Sequence, residues 1–210
     1  MTTDDQAPFT VEGSTRPFRG HIVTVRVDDI RGPDGRTANR EVVEHPGAVA
    51  ALVVDEQGSI LLVDQWRQAM GQRMVEIPAG KYDVEGEQVE PALRRELAEE
   101  LGVEGGELTW LCTFATTPGW SDEVVDLYLC EGARPIPSGK PDGDWEEAGL
   151  RVLTVSFEEA LRQATSGIGD SKTLIALGLY GQLKAGTWRP DPAARPDPDA
   201  PARRAAARPG

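Results

Sequence analysis

The stretch GKYDVEGEQVEPALRRELAEELGV, residues 80–103, decides how the rest of the chain is read. Gly80 and Gly86 punctuate a loop. Pro91 falls where a helix tolerates proline, in a first turn. Val89, Ala92, Leu93 and Leu97 recur at helical spacing and predict a helix over about 89–101 with one face in a core. Gly102 follows, where a left-handed C-cap is expected. Glu96 and Glu100 are four apart on the other face, Glu99 is within reach, and Glu87 lies just ahead of the helix. So much like charge on one turn is unfavourable without a counter-charge. A solvated acidic face is one reading. The other is a site for a hard divalent cation. Carboxylate oxygens suit Mg²⁺ or Mn²⁺, and Mg²⁺ usually takes one or two carboxylates together with waters and substrate phosphates.

Working outward, the 210 residues suffice for one domain, or one domain with a small appendage. The net charge of −13 argues against a nucleic-acid surface, which needs a basic stripe. An anionic substrate would have to be met by bound metal or by particular arginines. The first twenty residues are polar and lack an apolar signal core, and no apolar run approaches the length of a membrane span. Cys112 and Cys130 each sit in an apolar run and read as buried thiols in a reducing, cytoplasmic setting.

Upstream of the acidic helix, residues 1–16 are polar and read as a flexible N-terminus. Residues 21–27 and 37–43 read as two strands joined by a turn at Gly32, Pro33, Asp34 and Gly35. This 17–45 region is too small for a core of its own and should pack on something else. Residues 48–54 and 59–64 are further strands, the second running into Gln65, Trp66 and Arg67. Downstream, 108–114, 124–130 and 150–155 read as strands, and 133–145 as a Pro/Gly-rich mobile loop. Residues 157–164 and 171–183 read as helices, the second with Asp170 or Ser171 as N-cap. A main domain over 46–186 and a Pro/Ala-rich flexible tail over 187–210 complete the division. The segment SGIGDSKT, 166–173, fails the phosphate-loop pattern because Ser171 stands where glycine should precede the lysine, so Lys172 reads as a first-turn residue.

The ordered set Gly80, Glu87, Arg95, Glu96, Leu97, Glu99, Glu100, Gly102 and Val103 resembles the signature box of the Nudix hydrolases. One position departs: six residues, not five, separate Gly80 from Glu87. The resemblance extends over about 20–185. REVVEHPGAVA, the Gln65-Trp66-Arg67 strand end, IPAG and TTPGWSDE look like the ADP-ribose pyrophosphatase branch. It implies an α+β fold, a mixed sheet between helices (an α/β/α sandwich), with the N-terminal strands as a small dimerisation region, hence a homodimer. It also implies Mg²⁺ or Mn²⁺ held by Glu96, Glu99, Glu100 and the carbonyl of Ala79. Arg95 would orient the glutamates, and Arg67, Trp66 and Glu123 would bind substrate. The base would come from the mobile loop, as Glu146 or Glu147, with Glu146 preferred on register. The implied reaction is hydrolysis of ADP-ribose to AMP and ribose 5-phosphate. Two alternatives stay open: another nucleotide sugar such as GDP-mannose, and a regulator that binds ADP-ribose without cleaving it. Neither a nucleic-acid nor a membrane partner is expected.

Overall fold

The structure is a computed structural model that describes residues 7–82, 88–139 and 149–196. These fall into two compact units, one within Met1–Gly47 and Ala115–Glu123, the other within Ala48–Phe114 and Val124–Gly210.

The first unit is a three-stranded antiparallel sheet of β1 (Thr10–Arg19), β2 (Thr24–Arg31) and β3 (Thr37–Glu44), in that order. The expected hairpin is β2–β3, shifted three residues at its start. Most of strand β1 lies within what the sequence reads as the flexible N-terminus. TVEGSTRPFR shows no apolar alternation, and nearly all of it is exposed, so periodicity could not reveal it. It is held by the ladder to β2 and by charge. Arg16 Nε and Nη2 fork the two Glu44 oxygens at 3.0 Å each, and Arg26 Nη1 donates to Glu44 Oε1 at 2.7 Å. Arg26 Nε donates to Asp28 Oδ1 at 2.8 Å, and Ser14 Oγ to the same oxygen at 2.6 Å. Burial alone would push Glu44 and Asp28 up. The arginines outweigh it and hold both below the ordinary carboxylate range.

The second unit is built on a mixed sheet of order β10-β5-β4-β9-β8. Its strands are β4 (Ala48–Asp55), β5 (Ile60–Arg67), β8 (Val103–Ala115), β9 (Val124–Pro135) and β10 (Arg151–Val155). Two short strands hang on it: β6 (Gln72–Glu76) on β5 and β7 (Ala79–Lys81) on β4. β4 runs parallel to β9 and antiparallel to β5 and β7. The near-continuous apolar run of β4 is explained by burial on both faces. Ala50, Leu52 and Val54 share one core with Ala160 and Ala164 of α2 (Phe157–Ala164) and Ala176, Leu177 and Tyr180 of α3 (Ser171–Lys184). Val49, Ala51 and Val53 share the other with Val89, Ala92 and Leu93 of α1 (Val89–Glu96) and with Leu97 and Leu101 just beyond it. This is the expected mixed sheet between helices.

The acidic helix is two windings joined end to end. After α1, residues Leu97–Leu101 form a wider π-type turn, and Gly102, at φ 67°, closes it in the left-handed conformation. Asp170, not Ser171, caps α3. The tail also departs from its reading over 187–196. Trp188 packs against the α2/α3 core, Asp191 caps a single helical turn at Pro192–Ala194, and Arg195 lies 5.5 Å from the Tyr128 ring and donates to its hydroxyl. Residues 197–210 lie outside the described residues. Among the described residues, no helix is long and apolar enough to cross a membrane.

Candidate active site

The site grows from the meeting of β7 with α1. β7 pairs Gly80 with Val49 and Ala79 with Ala50, so this short strand is fixed to the middle of the sheet. A Cβ on Gly80 would stand 2.0 Å from Glu96 Cδ and 2.2 Å from its Oε1. Only glycine leaves room there, and the Glu96 carboxylate fills that room. One residue earlier, the Ala79 N–H donates to Glu100 Oε2 at 3.1 Å. Glu100 is buried, and burial outweighs this bond and pushes its carboxyl up to about 8, with the nearby Glu96 charge adding to the rise. Arg67 and Lys172 are the cations whose charge opposes that rise.

Arg95 sits between the other pair. Its Nη1 lies 2.9 Å from Glu96 Oε1 and 3.0 Å from Glu99 Oε2. Glu99 is therefore turned to Arg95, Glu100 to β7, and Glu96 lies between the two, against both Arg95 and Gly80. Among the described residues, no three acidic, histidine or cysteine side chains are gathered as a cage for an ion. Mg²⁺ does not need one, since one or two carboxylates with waters and substrate phosphates suffice. A buried Glu100 with its charge only partly offset, beside Glu96 in a glycine-made recess, is the donor set a hard dication favours. Glu87, Glu146 and Glu147 lie outside the described residues.

Arg67, at the end of β5, is already engaged. Its Nε and Nη2 donate to the two oxygens of Glu76 at 2.7 Å each. Glu76, at the end of β6, is 2% exposed. Lys172 also donates to Glu76, and lies 3.0 Å from Asp170 Oδ1. Burial would raise Glu76, but the Arg67 bonds and the Lys172 charge hold it below its ordinary value. Lys172 is indeed in the first turn of α3, as read, yet it is a half-buried ion-pair partner rather than a bystander. Sequence reasoning missed Glu76 and Asp170 as well. They are 94 positions apart, and only the N-cap pattern at Asp170 hinted at either.

Trp66 is exposed, with its Nε1 donating to Gln68 Oε1 at 2.9 Å. Glu123 belongs to the first unit. There its Oε2 accepts from Thr116 Oγ1 at 2.6 Å, and its Oε1 lies 3.4 Å from His45 Nδ1.

An α/β/α sandwich carrying this glutamate helix against a glycine-bearing strand is the architecture of a Nudix hydrolase. The chain belongs to the Nudix family: the NUDIX domain matches residues 44–177, and the nucleoside diphosphate sugar hydrolase N-terminal domain matches 9–43. The cofactor class of that family is a divalent metal ion. Among relatives, the methanol dehydrogenase activator of Bacillus methanolicus and the ADP-ribose pyrophosphatase of Bacillus subtilis are each 39% identical over 80% of this chain and 89% of their own. A GDP-mannose pyrophosphatase of Shigella flexneri is 28% identical over 76% of this chain and 86% of its own. A crystal structure of an ADP compounds hydrolase superposes with a TM-score of 0.74, covering 87% of this chain and 97% of that one at 18% identity, which establishes the shared fold.

Proposed function

We propose that this chain hydrolyses the pyrophosphate of ADP-ribose to AMP and ribose 5-phosphate, with Mg²⁺ or Mn²⁺ as cofactor. The observation that carries the reading is the buried Glu100 carboxyl, held by Ala79 N–H beside a Glu96 that occupies the space made by Gly80. Glu96 and Glu100, with the Ala79 carbonyl, would hold the metal, and Glu99 would complete the set. When bound, the metal supplies charge neutralisation of the pyrophosphate oxygens and an acidified water. Arg95 orients Glu96 and Glu99 through charge-assisted bonds. Arg67 meets the phosphates, and Trp66 and Glu123 are assigned to substrate on family resemblance. Glu146, or failing it Glu147, takes the water's proton.

The GDP-mannose alternative is less favoured, because the relative of that name is the more distant one. The regulator alternative expects damaged metal glutamates, and Glu96, Glu99 and Glu100 are intact. Two free cysteines, Cys112 and Cys130, suit a cytoplasmic setting. Exposed Phe9, Val11, Phe18 and Ile22 on and beside β1 suit a homodimer formed through the first unit. The test is turnover of a panel of nucleotide sugars with Mg²⁺ and product identification. AMP with ribose 5-phosphate as the preferred products is expected. Preference for GDP-mannose, or binding of ADP-ribose without products, would replace this reading.

A further inference from the structure

Glu76 has no place in the reaction just described, yet it is among the most buried charged side chains in the chain. A buried ion network is weak evidence for stability. Removing carboxylates from water costs several kcal/mol each, and apolar replacements are often neutral. Its geometry suggests what it does instead. Glu76 pairs with Val63 across β5 and β6, and Arg67 lies four residues further along β5, so both side chains rise from the same face. Both Glu76 oxygens are spent on Nε and Nη2 of Arg67. This fixes the plane of the guanidinium. Among the described residues, Nη1 keeps both its N–H groups unspent, on a side chain that is 41% exposed.

The N-terminus of α3 then locks Glu76 from two sides. Lys172 binds its carboxylate and is itself held by Asp170. The next residue, Thr173, accepts the N–H of Ile77 at 2.9 Å on its hydroxyl, which in turn donates to Asp170 at 2.5 Å. So the side chain of Glu76 and the backbone beside it are gripped by consecutive residues of one helical turn. Lys172 also supplies the second positive charge that allows Glu76 to remain a carboxylate in a dry place.

We propose that Glu76 is a positioning residue for Arg67: with Lys172 as its counter-charge, it presents the free Nη1 edge of the guanidinium to a phosphate of the substrate. A guanidinium held by two bonds loses little further freedom on binding an anion. The inference rests on the proposed pyrophosphate chemistry and adds a residue pair to it.

The test is a double-mutant cycle of Arg67→Met and Glu76→Gln, read as KM and kcat for ADP-ribose with Mg²⁺. A parallel readout is the Kd of inorganic pyrophosphate by calorimetry in chelator, which needs neither turnover nor metal. Each single variant should raise KM and Kd about tenfold or more, as loss of a bond to a charged group does, with kcat little changed. The double variant should be no worse than Arg67→Met alone, because Glu76 acts through Arg67. Glu76→Gln/Lys172→Met removes the buried carboxylate together with its half-buried counter-charge and guards against misfolding. It should show the same KM rise with a near-wild-type melting temperature. Additive effects in the cycle, or a lowered melting temperature with KM and Kd unchanged, would reduce Glu76 to a structural ion pair and overturn the proposal. A wild type that neither cleaves ADP-ribose nor binds pyrophosphate would overturn the functional reading and this inference together. A wild type that does either, with an additive cycle, overturns this inference alone.

Discussion

The Glu96 side chain occupies the space that a Cβ on Gly80 would need, its Cδ lying 2.0 Å from the ideal Cβ position. Gly80 has no left-handed backbone, so its role is volume and not conformation. Gly80→Ala should therefore leave the strand intact and push the carboxylate of Glu96 aside. Divalent metal affinity and turnover are expected to fall about 10- to 100-fold, the usual cost of misplacing a ligand through its surroundings. The melting temperature without metal should hold. Calorimetric titration with Mg²⁺ or Mn²⁺ checks this, and wild-type affinity in the alanine variant would refute it.

Glu100 predicts a pH dependence. Its folded pKa, about 8, lies above the ordinary 4.5. Its contribution to stability is thus fully present below about pH 4.5 and lost as pH rises through about 8. In chelator, the wild type should lose melting temperature over that window relative to Glu100→Gln, which carries no charge there. Added divalent metal should raise the wild type's melting temperature at pH 8 and leave the variant's nearly unchanged, with turnover of the variant down about 100-fold or more. Parallel melting curves for the two proteins would contradict the assignment.

The catalytic base is predicted from sequence register alone. If the backbone there is extended, neighbouring glutamates face opposite sides and Glu146 and Glu147 should differ sharply. Glu146→Gln should lower kcat about 10²- to 10⁴-fold with little change in KM, the range of general-base catalysis, and Glu147→Gln much less. The reverse order would shift the register by one residue. Small losses in both would move the base elsewhere, with Glu123 or a helix glutamate next to be tried.

What could be read before folding was whatever leaves a local trace. The apolar spacing of Val89, Ala92 and Leu93 and the stop at Gly102 marked the acidic helix to its last residue, and the apolar run of β4 marked the buried strand. The wider turn after Glu96 could not be seen, because residues four apart stay neighbours in either winding. Strand β1 was hidden for a different reason. Its anchors are charges, Arg16 on Glu44 and Ser14 on Asp28, whose pairing depends on β2 and β3 being in place. The Glu76–Lys172 pair joins residues 96 positions apart and obeys no spacing rule at all. Arg67 was singled out in the sequence, but the carboxylate it pairs with became visible only with the sheet register.

The segment after α3 carries one more consequence. Trp188 seats on the core beneath α2 and α3, whereas Arg195 reaches Tyr128, whose ring belongs to the core beneath α1. A few residues therefore buckle the two layers of the sandwich to each other around the sheet. Proteolytic trimming of a Pro/Ala-rich terminus is ordinarily harmless, but a cut on the N-terminal side of Trp188 would unfasten both layers at once. Any shortening or fusion at this end has to keep both Trp188 and Arg195.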